Sequence, residues 1–157
     1  MGKTELTRLG EKQLWKNTDK IGTFGCFEVT IGWFGKEIVD YITYDTNGEC
    51  KCYEIKTSKS DFMSKANLTF VGHFNYFVMP RELYFELKAQ NNRVLMRQIS
   101  SYGVGVYVFS ETGFESVIKA KRRKVTHVRV AEILESMLRS TNREVKKFYQ
   151  QKPYWEK

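Results

Sequence analysis

Residues 24–31 alternate. Phe27, Val29 and Ile31 fall on one side of an extended chain, and Cys26, Glu28 and Thr30 on the other, which predicts a strand. Residues 37–44 and 49–56 are rich in β-branched and aromatic side chains and predict two more. Asp45-Thr46-Asn47-Gly48 between them is a hairpin signal. Trp33-Phe34-Gly35 is a tight connection between the first two strands. Ahead of them, residues 4–15 space Leu6, Leu9 and Leu14 as a helix does, and the polar stretch 17–22 ends it. Behind them, Ser58 with Asp61 three residues on marks the start of a short helix to about residue 66. Residues 74–79 predict a compact apolar strand. Pro80 suits the first turn of a helix over residues 81–90. Residues 103–110 and 114–120 predict two further strands. A closing helix over residues 128–149 carries Val130, Ile133, Leu134, Met137, Leu138, Val145 and Phe148 as a core stripe.

Short loops make the first three strands an antiparallel meander, and the fourth, reached through a helix, can join as a crossover. The expected class is therefore mixed α and β around one sheet. No repeat and no Pro/Gly/Ser-rich linker divides the chain, so residues 1–157 are read as a single domain.

Charge narrows the partners. The 26 basic and 18 acidic residues leave a net charge of +8, which favours polyanions such as DNA, RNA or anionic lipid. No basic amphipathic stretch has the bulky apolar face of a membrane-surface helix, so nucleic acid ranks above lipid and no membrane partner is expected. No apolar run is long enough to span a bilayer, and no apolar signal core follows Met1. The expectation is a soluble, cytoplasmic protein. Cys26, Cys50 and Cys52 lack Cys-x-x-Cys spacing and are read as buried thiols rather than ligands.

The chemistry concentrates in Val39-Asp40-Tyr41, the hairpin, and Tyr53-Glu54-Ile55-Lys56. Glu54 and Lys56 share a strand face with Cys50 and Cys52, and Ile55 points oppositely, into a core. A two-residue turn at Asn47-Gly48 would pair Asp40 with Ile55 and bury an unpaired carboxylate, which is costly. A three-residue loop, Thr46-Asn47-Gly48, instead pairs Asp40 with Glu54, Ile42 with Cys52 and Tyr44 with Cys50. Gly48 then takes the left-handed position of a G1 bulge. Polarity selects this second register.

In that register the β-carbons of Asp40 and Glu54 are about 5 Å apart. Carboxylates that close repel unless one is protonated or a cation lies between them. Oxygen donors suit a hard divalent ion, Mg2+ first, with Mn2+ as its substitute. Lys56 can orient or help deprotonate an attacking water and stabilise charge on a phosphate. The Trp33-Phe34-Gly35 loop, read the same way, pairs Glu28 with Asp40 and extends the carboxylate row. Glu28 is then either a third metal ligand or a solvated face residue.

With Asp40 and the Glu54-Ile55-Lys56 triplet in this order of elements, the chain resembles the PD-(D/E)xK nuclease superfamily. Its common core is a helix, three meandering strands, a helix and a strand. Asp40 matches the motif aspartate, with Val39 where the motif names proline, and Glu54-Ile55-Lys56 matches the (D/E)xK triplet in full. The run from Tyr53 to Phe62, followed by the aromatic segment ending at Pro80, looks more specifically like MmcB-type DNA-repair proteins and related small phage-encoded proteins. The resemblance implies a restriction-endonuclease-like core and metal-dependent hydrolysis of DNA, in repair or in phage propagation, with RNA ranked below DNA. It implies Asp40 and Glu54 as metal ligands, the Ile55 carbonyl as a further one, and Lys56 as the partner of the nucleophile. A glutamate on the first helix often helps hold metal in this superfamily, and Glu5 and Glu11 are both candidates. Many members act as dimers, which leaves a homodimer open. For a phage-encoded member the compartment is the host cytoplasm.

Ser58, Lys59, Ser60 and Lys65 follow the triplet and are candidate contacts to the nucleic-acid backbone; for the two serines helix capping competes with that role. The densest basic run, residues 119–124, is either a backbone contact or a solvated turn. Two other readings stay open: a nucleic-acid-binding protein of the same fold that no longer cuts, and an interaction protein such as a phage factor inhibiting a host system.

Overall fold

In a computed structural model, described over residues 3–64 and 68–156, the elements follow the predicted order with two additions, a helix at Arg93–Tyr102 and a closing 3-10 turn at Tyr154–Glu156. They are α1 (Glu5–Thr18), β1 (Thr23–Thr30), β2 (Ile38–Asp45), β3 (Cys50–Ile55), α2 (Lys59–Phe62), β4 (Phe74–Pro80), α3 (Arg81–Ala89), α4 (Arg93–Tyr102), β5 (Gly105–Phe109), β6 (Phe114–Ile118) and α5 (His127–Gln151). The strands form one mixed sheet in the order β1-β2-β3-β4-β5-β6. β1, β2 and β3 are the antiparallel meander, β4 and β5 join in parallel, and β6 returns antiparallel.

The polarity argument for the hairpin holds. Ile42 pairs with Cys52 and Tyr44 with Cys50. Gly48 sits at φ 77°, a conformation that costs glycine nothing and most other residues strain. The Asp45 carboxylate accepts from Asn47 N (2.9 Å) and Glu49 N (3.2 Å), fastening the turn from below.

The sheet separates two apolar layers. On one face an aromatic from every strand forms a row: Phe27, Tyr41, Tyr53, Tyr76, Tyr107 and Phe114, with neighbouring centroids 4.3–5.8 Å apart. Leu9 and Leu14 of α1 cover it. Gly10 lets the helix come down: a β-carbon there would lie 2.9 Å from the Phe109 ring and 3.5 Å from Ile55 Cγ2. Glycine inside a helix costs about 1 kcal/mol relative to alanine, and here it lets α1 sit directly on β3. On the other face α3 and α4 cover Phe77, Met79, Val106 and Val108, and α5 covers Cys26, Val29, Val39 and Ile42.

Four expectations need correction. Helix α4 was not foreseen, although Leu95, Ile99 and Tyr102 recur at helical spacing; the segment is short, and only Leu95 of its ten residues is buried. Helix α2 ends at Phe62 rather than near residue 66, and residues 65–67, including Lys65, lie outside the described residues. The strict alternation of β1 fails at Glu28, whose φ of 53° turns the strand. Phe27 therefore joins the α1 face, while Cys26 and Val29 share the α5 face. The stripe of α5 is core only in its first half. Ile133 and Met137 are buried, whereas Leu138 is 69% and Phe148 52% exposed. The helix packs on the edge strand and then runs on past it, and residues 141–151 are all exposed.

The three cysteines are free and buried. Burial pushes the thiols of Cys50 and Cys52 up, to about 11 and about 12, so neither is a reactive thiolate at neutral pH. No helix among the described residues is long and apolar enough to cross a membrane.

Candidate functional site

The meander brings the sequence candidates to one end of the sheet, where β1 and β3 finish and β2 begins. Asp40 is the third residue of β2. Its Oδ2 accepts from Ile55 N at 2.7 Å, a bond that fixes the carboxylate on the last residue of β3. Continuing the hairpin register places Asp40 opposite Glu54. Glu54 is only 5% exposed. Desolvation first, then the Asp40 charge and a hydrogen bond to Asp40, push its carboxyl up to about 9; Lys56 and a backbone bond from Thr69 oppose that. Asp40 is also raised, chiefly by desolvation, with the Ile55 N–H pulling the other way. Glu54 is therefore the carboxyl of the pair that keeps its proton at neutral pH, with a hydrogen bond to Asp40.

Lys56 is the first residue beyond β3. Its backbone N donates to Val78 O (2.9 Å), and its side chain is 9% exposed with Nζ 3.9 Å from Asp61 Oδ1. Asp61 Oδ2 accepts from Thr57 N at 3.2 Å while Ser58 Oγ accepts from Asp61 N at 3.1 Å, so the cap of α2 also aims the carboxylate at Lys56. Sequence reasoning used Asp61 only as a capping residue. Its spacing five residues after Lys56, across a turn, was the available signal.

A cleft of about 220 Å³ opens beside these groups, lined by Lys3, Thr7, Glu11, Glu28, Asp40, Ile55 and Asp61. Glu11 therefore joins the site, whereas Glu5 lies elsewhere, beside Leu6, Leu9 and Glu111. Helical spacing accounts for the choice: Thr7 and Glu11 are four apart and share one face of α1, Lys3 just ahead of the helix reaches Glu11, and Gly10 brings the helix down onto Ile55. Glu28 stands at the rim. Its left-handed backbone turns the side chain outward, 54% exposed, and Lys3 Nζ bridges it (3.0 Å) to Glu11 (2.8 Å). Glu54 and Lys56 lie behind Asp40 rather than on the cleft wall.

Among the described residues no three His, Cys, Asp or Glu side chains converge as they stand. The donor chemistry nevertheless suits a hard cation. Glu54 Oε1 and Thr69 Oγ1 are buried without a hydrogen-bond partner, a costly state for buried oxygens. Every side chain near Asp40 that could ligate offers oxygen.

The remaining candidates are dispersed. Ser58 is occupied as the cap of α2, Lys59 Nζ donates to Gln90 Oε1 (2.7 Å), and Ser60 is exposed. The basic run 119–124 crosses the opposite end of the sheet. There Lys121 N donates to Gly103 O and Arg123 N to His73 O, each at 2.8 Å. Of its side chains, Arg122 pairs with Glu49 (3.2 Å) and Arg123 donates to Phe70 O (3.1 Å).

No family model matches the chain, and no curated protein does. Among solved structures it is similar to the SPO1766 protein of unknown function from Silicibacter pomeroyi. The TM-score is 0.73 and the identity 15%, over 97% of this chain and 95% of that one. At that identity the likeness shows a shared fold, which nearly end-to-end coverage extends to β5, β6 and α5.

Proposed function

We propose that this chain is a metal-dependent nuclease that hydrolyses DNA phosphodiester bonds, serving DNA repair or processing, or phage propagation. The observation that carries the reading is the Asp40–Glu54 pair: a buried Glu54 carboxyl pushed up to about 9, with one oxygen unpartnered, against a half-buried Asp40 on the cleft wall, and Lys56 at the same strand end. A buried acid held neutral to about pH 9 is a poor structural device and a common functional one. The PD-(D/E)xK resemblance of the same residues supports it.

Asp40 and Glu54 would hold the ion, with the Ile55 carbonyl by family resemblance and Glu11 from α1. Bound magnesium would supply Lewis acidity toward a phosphoryl oxygen and a lowered pKa for its water. Glu54 must lose its proton on binding, so metal affinity should rise with pH. Asp61 holds Lys56, whose ammonium orients the attacking water and places positive charge where the phosphate gains negative charge. Glu28 and Lys3 form the cleft's outer wall.

The test is cleavage of labelled single-stranded, double-stranded and branched DNA, with RNA as comparison, in Mg2+, in Mn2+ and in chelator. Wild type should cut only with metal, and Asp40→Ala should not cut. No cutting of any substrate, with binding unchanged by Asp40→Ala, would leave a nucleic-acid-binding protein of this fold. A protein partner captured without metal and kept by Asp40→Ala would instead favour the interaction reading. A second comparison separates the two helix glutamates. Glu11→Gln should raise the Mg2+ concentration for half-maximal cleavage by roughly tenfold, the usual effect of losing a metal-holding group, while Glu5→Gln should leave it unchanged.

A further inference from the structure

The loop between β1 and β2 exposes two large aromatics, yet its backbone is held firmly. Ser136 of α5, fully buried, accepts from Gly32 N at 3.0 Å, and Arg139 Nη2 donates to Gly32 O at 2.8 Å. Ile31 N donates to Glu37 O at 3.0 Å and closes the base. Above this base Trp33 is 74% and Phe34 99% exposed. The Arg139 guanidinium stacks on the Trp33 ring 4.3 Å from its centroid. A loop that only needed to turn would have no reason to hold two rings in water on so fixed a platform.

The platform is continuous with the candidate site. Arg143, one turn beyond Arg139, donates to Glu28 O at 3.3 Å, and Glu28 lines the Asp40 cleft. From Glu28 to Gly32 is four strand residues, about 13 Å, or roughly four stacked nucleotides at ~3.4 Å each. The surroundings are basic: Lys36 is in the loop, and α5 carries five Lys or Arg against three Glu. A second copy of this chain is a poor occupant. Two rings offer at most about 500 Å², against roughly 800 Å² per partner in a stable protein interface.

We propose that Trp33 and Phe34 are a base-stacking platform, so that the preferred substrate is DNA with unpaired bases a few nucleotides from the cut, single-stranded or forked rather than blunt duplex. Aromatic faces stack on any base, so the platform reads strand state and not sequence. Arg139 stiffens the Trp33 ring, and Arg143 and Lys36 face the backbone phosphates. This inference rests on the nuclease reading for its substrate, but its binding step is measurable without cleavage.

The experiment measures Kd in chelator for fluorescein-labelled single-stranded, forked and blunt duplex DNA. It compares wild type, the Trp33→Ala/Phe34→Ala double variant and Phe34→Trp. The double variant should weaken single-stranded and forked binding by roughly tenfold or more and blunt-duplex binding by less than about twofold. Phe34→Trp should retain wild-type affinity, and intrinsic Trp33 fluorescence should be quenched by single-stranded DNA. In Mg2+, the double variant should lose the preference for forked DNA while still cutting duplex. Equal affinities in wild type and double variant overturn the proposal, even if both cut DNA. Loss of dimer formation, or of binding to phosphatidylglycerol vesicles, with DNA affinity unchanged also overturns it. If nothing is cut but the binding preference vanishes in the double variant, the platform stands and the nuclease reading falls.

Discussion

Lys56→Met should lower magnesium-dependent DNA cleavage by about 10³-fold, the scale of losing a proton-handling or charge-stabilising group, with DNA affinity almost unchanged. The Lys56 side chain is nearly buried, so it cannot be a general surface anchor for DNA; its ammonium faces Asp61 on one side and the Asp40–Glu54 pair on the other. Methionine keeps the apolar stem packed and removes only the charge. The loss should therefore fall on kcat, with KM little changed. A matched fall in affinity and rate would mean that Lys56 binds ground-state phosphate. Cleavage at the wild-type rate would remove Lys56 from the mechanism, whatever Asp40 does.

In chelator, the folded protein should lose stability as pH rises from 6 to 9. The Glu54 carboxyl titrates near 4.5 in an unfolded chain and near 9 in the fold. Between those values the folded state keeps a proton that unfolding releases, so the stabilisation is complete below the lower value and is lost as pH climbs through the upper one. By pH 8 the change should be about 3 kcal/mol, or roughly 6–12 °C in Tm for a chain of this size. Glu54→Gln keeps a neutral group at every pH, so it should flatten the slope and be the more stable protein at pH 8. Mg2+ should invert the trend in wild type, because the ion binds the pair only after the proton leaves. Thermal unfolding with chelator or Mg2+ across that pH range decides it. A Glu54→Gln slope equal to wild type would sink the assignment of the buried proton.

How far the sequence carries is clearest at the hairpin. Gly48 and the polarity of Asp40 sufficed to place Ile42 against Cys52 before any coordinates, because both act within a few residues. The same reasoning at Trp33-Phe34-Gly35 was sound for the register and incomplete for the local shape. The ladder pairs Phe27 with Tyr41 and Val29 with Val39, as the predicted Glu28–Asp40 pairing requires, but Glu28 itself leaves it at positive φ. A single-residue kink of that kind leaves no trace in hydrophobic period. The stripe on α5 misled for a different reason. Its period was real, but the sheet beneath it ends at β1, and a periodic pattern says nothing of where its partner stops.

The order of elements apart from α4, the register of the meander, and the placing of Asp40, Glu54 and Lys56 at one strand end were determined by the sequence alone. Side-chain period and turn chemistry act locally and are written residue by residue. The tertiary structure decided which helix glutamate reaches the cleft, that Glu28 turns out to Lys3, that Asp61 holds Lys56, and that the basic run lies at the far end of the sheet. It also decided the proton on Glu54, because desolvation and the nearness of a second charge arise only when distant segments close over the group.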